Sequence, residues 1–164
     1  MKKITLLLSL LLVLASCSQV SEEETQYEIY KTMYQNILNT TSFSSTSQNF
    51  AVSASMVRLD GGEYRYDIFI DNAKIAMYDI EILAIVDEGL LMVSDQMMPS
   101  VGIFGQEEYA MIPYQVNADL GYVEGFNLNG VVNTTSVILK IQITWKDYFK
   151  IRSFKENISL EVSV

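Results

Sequence analysis

From Phe50 to the C-terminus the apolar residues settle into a period of two, and this pattern limits the fold more than any other feature of the 164-residue chain. Successive side chains of a strand point to opposite faces, so apolar residues at every second position make a strip with one face to bury and one to wet. Phe50, Val52, Ala54 and Met56 alternate with small polar partners. Asp60-Gly61-Gly62 then supplies the residues that a tight hairpin needs for positive φ. Tyr64, Tyr66, Ile68 and Ile70 alternate with Arg65 and Asp67; after a turn at Asp71 to Lys74, Tyr78, Ile80, Ile82, Ala84 and Val86 oppose Asp79 and Glu81. Three such strips in succession predict an antiparallel sheet with one wet face.

The later half continues the theme less cleanly. Leu90 to Val93 and Tyr109 to Val116 are strand candidates, with Pro113 confining the second to an edge or an irregular strand, and Tyr122 to Leu128 is a third. Val137, Leu139, Ile141, Ile143 and Trp145 give the cleanest alternation, against Lys140, Gln142 and Thr144; Ile158, Leu160, Val162 and Val164 close the chain. Seven or eight short strands between turn signals predict a mainly β fold, an antiparallel two-sheet sandwich over residues 50–164 with Trp145 in its core. In pattern this stretch is similar to the immunoglobulin-like modules of bacterial surfaces, and the resemblance implies an immunoglobulin-like sandwich, although the cysteine pair of antibody domains is missing.

Before the sandwich, residues 17–49 read as an acidic helix followed by a Ser/Thr-rich linker. Ser21 and Glu24 have capping-box spacing, and Glu22 and Glu23 add negative charge where a helix dipole favours it. Tyr27, Tyr30, Met33, Tyr34, Ile37 and Leu38 then recur at three-to-four spacing, which predicts one N-terminal helix over 22–38, packed on the domain or serving as a tether. Residues 40–48, TTSFSSTSQ, read as linker or loop.

Residues 1–16 form a signal-peptide layout, in which Lys2 and Lys3 precede the apolar run from Ile4 to Leu14. At ~1.5 Å per residue an eleven-residue run covers about half of a ~30 Å hydrocarbon core, too little for a permanent spanning helix. The sequence Leu14-Ala15-Ser16-Cys17 resembles the bacterial lipobox, and the resemblance implies that Cys17, the only cysteine, carries a diacylglycerol and becomes the mature N-terminus. The expected partner is therefore the membrane, reached through the lipid on Cys17. The expected location is the extracytoplasmic face of the cell membrane. Ser18 stands where many two-membrane bacteria place an aspartate for inner-membrane retention, which leaves an outer-membrane location open.

Charge and composition narrow the chemistry. The chain has 11 basic and 20 acidic residues, no histidine, and a net charge of −9. Such a surface repels polyanions, so no nucleic-acid partner is expected. Without histidine, and with its one thiol at the anchor, the domain has no histidine triad, no thiol catalysis and no zinc site of the usual ligand types. Residues 60–124 hold thirteen acids against Arg65 and Lys74, but Asp67, Asp71, Asp79 and Glu81 sit on the polar phase of alternating strands and are expected to be solvated. No catalytic residue and no cofactor is assigned, and the chain is not expected to be an enzyme.

Binding is the expected role, with the ligand open. A non-catalytic module that engages a protein or glycan, or supports envelope assembly, is the first reading. An ion or small-ligand receptor is the second, with calcium held by loop carboxylates such as Asp60, Glu63, Asp87, Glu88 and Asp95, though no EF-hand spacing supports this and the metal ligands stay unknown. Met92, Met97 and Met98 suit a soft metal or core filling. The loop from Ser94 to Glu108 carries Met97, Met98, Ile103 and Phe104 and is either a binding loop or a cap on the core. Lys146, Lys150, Arg152 and Lys155 interleave with Tyr148 and Phe149 in a local basic patch able to face anionic lipid.

Overall fold

A computed structural model describes residues 21–87, 97–105 and 107–164. Among the described residues seven strands follow one helix: α1 Glu22–Asn39, β1 Ala51–Arg58, β2 Tyr64–Asp71, β3 Tyr78–Val86, β4 Ser100–Val101, β5 Gly125–Val132, β6 Ser136–Lys146 and β7 Ser153–Ser163. They form a three-stranded sheet, β1-β2-β5, and a four-stranded sheet, β4-β3-β6-β7, with every named pairing antiparallel. The chain crosses between sheets after β2, β4 and β5, so the two antiparallel sheets form a sandwich joined by three crossovers.

Alternation sets the core. Tyr66, Ile68 and Ile70 of β2 and Leu128 of β5 face Ile80, Ile82 and Ala84 of β3 and Leu139, Ile141 and Ile143 of β6, all buried in one cluster. Trp145 closes one end of it, stacked on Phe154 at 5.6 Å and edge-on to Phe50 at 6.1 Å. Between β1 and β2, Gly62 takes φ +86° and its N–H donates to Leu59 O (3.1 Å), so the Asp-Gly-Gly turn forms where its residues allow it.

The four-stranded sheet departs from the expected wet face. Its outer side carries Leu83 and Ile85, both buried, and α1 lies across them with Tyr30, Met33 and Ile37 facing the sheet. The helix begins as its sequence predicts, with Glu24 N donating to Ser21 Oγ at 3.1 Å. The fold is thus three layers at this place: helix, four-stranded sheet, three-stranded sheet. Gln142, paired with Leu83 across β3 and β6, is 1% exposed on that outer side, and its Oε1 has no hydrogen-bond partner among the described residues.

Further differences concern loops. The Ser/Thr stretch is anchored: Ser44 N donates to Asn157 O (3.0 Å) and Ser159 N to Ser44 O (2.9 Å), so the stretch borders the open edge of β7, while Phe43 packs against the helix cluster. Residues 109–116 do not form a strand. Pro113 has no N–H to give a ladder, and Tyr114 takes φ +63°, so only isolated bridges remain, such as Met77 with Met111. The expected strand from Tyr122 is β5, starting at Gly125, and the candidate Leu90 to Val93 lies outside the described residues.

Candidate functional site

Cys17 lies outside the described residues, but its reach follows from covalent geometry. It stands four residues before Ser21, hence within about 14 Å of it at full extension. Ser21 caps α1, and the first turns of α1 are fixed to the sandwich: Gln26 Nε2 donates to Gly105 O (2.8 Å), and Gly105 N donates back to Gln26 Oε1 (3.3 Å). Because β4 runs antiparallel to β3, the chain after Val101 returns toward the start of β3. The N-terminus of α1 is therefore held toward the end of the sandwich where β3 begins and the β6–β7 hairpin turns.

That end is organised by Asp79. A bulge between Tyr78 and Glu81 interrupts the β3–β6 register, and Asp79 sits in it at φ +46°, a left-handed conformation that aspartate tolerates better than most residues. The bulge aims its carboxylate at two lysines, Lys150 Nζ at 2.7 Å and Lys146 Nζ at 3.1 Å, and Lys150 also reaches Glu108 at 2.5 Å. Burial opposes ionisation of Asp79, but the two ammonium groups outweigh it and hold the carboxyl below the usual aspartate range. Hydrogen bonds to Asp79 and Glu108 raise Lys150 above the usual lysine value. Asp79 is thus a strut between β3 and the hairpin, which corrects the expectation of a solvated side chain.

Around this strut two loops expose apolar side chains. The β6–β7 hairpin presents Tyr148 (70% exposed), Phe149 (74%) and Ile151 (82%); the loop before β5 presents Tyr114, Val116 and Leu120. Those six are among the seven most exposed large apolar side chains of the described residues, the seventh being Val164, so the exposure is concentrated and not scattered. Tyr78 at the start of β3 makes an edge contact with Tyr148 of the hairpin at 5.7 Å. An open cleft of about 800 Å³ lies at the same end, between the β2–β3 turn at Asp71 to Lys74 and the loop through Met111 to Val116.

The other sequence candidates disperse. Asp87 pairs with Lys140 at 2.7 Å, Asp60 and Glu63 are exposed in the β1–β2 hairpin, and Glu88 and Asp95 lie outside the described residues. Among the described residues no group of three or more carboxylates gathers to hold a metal ion. Asp67 is 9% exposed, held by Arg65 at 2.5 Å, so it too is shielded where solvation was expected. Asp71 stays exposed at the end of β2, and Glu81 accepts from Thr144 Oγ1 at 3.1 Å.

In the segment Ser94 to Glu108, Ile103 is buried, Met98 packs into the helix cluster and donates its N–H to Tyr30 Oη (2.8 Å), and Phe104 lies 5.6 Å from the Tyr30 ring. The described part of the segment cradles α1, although Met97 and Phe104 both keep exposed surface, and Met92 lies outside the described residues. The basic patch divides: Lys146 and Lys150 are tied to Asp79, while Arg152 and Lys155 are exposed. Tyr114, Val116, Leu120 and Ile151 were not singled out from the sequence. Their signal was apolar residues set among Pro113, Asn117 and Gly121, where no periodic element can bury them.

No helix among the described residues is long and apolar enough to cross a membrane. No curated protein and no solved structure matches the chain. Residues 1–18 match the family model of the prokaryotic membrane lipoprotein lipid attachment site, and this match supports a membrane-anchored lipoprotein.

Proposed function

We propose that the protein is an extracytoplasmic lipoprotein, acylated on Cys17, whose sandwich is a non-catalytic binding or envelope-assembly module held at the membrane surface. The observation that carries the reading is the attachment-site match over residues 1–18, which ends one residue beyond the only cysteine of the chain. Two acyl chains anchor a protein stably where one does so marginally, since each buried methylene contributes ~0.8 kcal/mol. A folded domain with a polar surface can then stay at the bilayer without spanning it. The absence of histidine from the whole sequence supports a non-catalytic role, because the commonest general base and zinc ligand is missing.

The test is the mass of the N-terminal peptide of protein purified from membranes, with a Cys17→Ser variant fractionated in parallel. Acylated Cys17 and a variant that leaves the membrane fraction are expected. An unmodified thiol refutes the reading. The cleft favours a second reading, a small-ligand or ion receptor on the same anchor. A melting temperature that rises with calcium and falls with chelator would support its ionic form.

A further inference from the structure

We infer that the end of the sandwich formed by the 147–152 hairpin and the 112–120 loop is a membrane-insertion surface, whose apolar side chains enter the headgroup–acyl boundary of the bilayer that carries the anchor. The inference rests on the lipid-anchor reading and adds to it an orientation and a second contact.

Three observations carry it. First, Tyr148, Phe149, Ile151, Tyr114, Val116 and Leu120 project from one end, and the two tyrosines are of the kind that settles at a membrane–water interface, beside apolar side chains that bury into it. Second, the anchor is on the same side. Gln26 in the second turn of α1 is bonded to Gly105, Glu108 three residues on contacts Lys150 in the hairpin, and Cys17 is within about 14 Å of the start of α1. Confinement by the anchor makes insertion effectively intramolecular, so even a weak apolar contact is populated.

Third, the hairpin meets most of its own polar demands. Ile151 N and Arg152 N donate to Asp147 Oδ1 (3.0 and 3.3 Å), Lys150 N donates to Asp147 O (2.9 Å), and Asp147 N donates to Arg152 O (3.1 Å). A loop closed in this way enters a poorly hydrated zone at less cost than one with free backbone donors.

Charge argues for apolar insertion over electrostatic adhesion. Lys74, Lys146, Lys150, Arg152 and Lys155 at this end are matched by Asp71, Asp79, Glu107, Glu108, Asp119, Glu124 and Asp147. Net positive charge is lacking, so contact with an uncharged phosphatidylcholine surface is expected.

The experiment places the acylated full-length mature protein on phosphatidylcholine vesicles with brominated acyl chains. Two single variants, Phe149→Trp at the hairpin and Val57→Trp at the opposite end, share the buried native Trp145, 3% exposed. Flotation with the vesicles tests the anchor; quenching tests the insertion. The expected result is that both float and that the Phe149→Trp indole is quenched about twofold or more beyond the Val57→Trp indole. Floating protein with equal quenching in the two variants overturns the inference and leaves the anchor intact. Protein that does not float overturns the anchor reading and the inference with it. Shielding of the Phe149→Trp indole in native envelopes but not on protein-free vesicles assigns this end to a protein partner and overturns the lipid contact.

Discussion

Replacing Ile37 by alanine tests whether α1 is part of the fold or a spacer between the domain and its anchor. Ile37 is fully buried against the outer side of the four-stranded sheet, in the cluster with Leu83 and Ile85. The change removes three carbons; at ~0.8 kcal/mol per buried methylene plus a cavity term, the loss is about 2.5–4 kcal/mol. Alanine is the best helix former, so helix propensity does not contribute to the loss and packing alone is read. For a domain of this size a kilocalorie shifts the midpoint by roughly 2–4 °C, so a fall of about 5–15 °C is expected. The assay is thermal unfolding by circular dichroism of the acylated protein in detergent, beside Gln35→Ala on the exposed side of the helix, expected within about 2 °C of the parent. A single transition lowered only in Ile37→Ala makes the helix and the sandwich one cooperative unit. Equal midpoints in both variants would refute the docked helix and leave a tether.

Three further perturbations check other parts of the structure. At Gly130 an added Cβ would fall 2.3 Å from Tyr66 Oη and 2.5 Å from its Cζ, so Gly130→Ala is expected to lower stability by ~1–3 kcal/mol in a denaturant titration; no change would show that the ring moves aside freely. Gln142→Met keeps the volume and removes the unpartnered Oε1 beneath α1, so a gain of about 1 kcal/mol is expected in the same titration, and a loss would reveal a hidden partner. For Asp79→Asn the loss should be of order 1 kcal/mol, read as a midpoint difference from the parent across pH. Because the folded carboxyl lies below its unfolded value of ~3.9, that difference is full above the unfolded value and vanishes as pH falls through the folded one. Lys150 is raised, so its share is full below ~10.4 and is lost as pH rises through its folded value. A difference that persisted in strong acid would show that Asp79 acts by shape and not by charge.

The sandwich was legible because alternation is a local property. Val137, Leu139, Ile141, Ile143 and Trp145 announce both the strand and the side it buries, and the structure places all five in the core. The helix was legible for the same reason, in its cap at Ser21 and its stripe through Tyr30, Met33 and Ile37. Their meeting left a fainter mark. In YDIEILAIV the polar phase carries Asp79 and Glu81 and then turns apolar at Leu83 and Ile85, a sign that half of β3 is covered on both sides. What covers it could not be read, because docking joins residues more than forty apart. The strut at Asp79 was hidden likewise: a bulge re-aims a side chain that strict alternation assigns to solvent. The exposed loop residues lacked any period, and only the three-dimensional path of the chain gathers Tyr114 and Phe149 at one end.

The two sheets meet solvent differently, and the difference bears on orientation at a membrane. On the three-stranded sheet the outward rows are mixed: Ser55 and Asn129 flank Asp67, which Arg65 shields, Ser53 and Asn127 flank Phe69, and Val57 and Val131 flank Arg65. On the four-stranded sheet α1 occupies the outward side, and the cradle of Met98, Ile103 and Phe104 closes over it. The apolar residues left exposed on the broad faces, such as Val57, Phe69, Val131 and Ile138, are interleaved with polar ones, and the most exposed apolar side chains gather at the hairpin end. With Cys17 as the proposed lipid anchor, a domain tethered near that end by a chain of at most about 14 Å would have little freedom to turn it away from the bilayer. Its three-stranded sheet would then face along or away from the membrane, open to whatever partner the module binds. If Ile37→Ala frees the helix, the same tether lengthens by up to the ~27 Å of α1, and the orientation should be lost together with the packing.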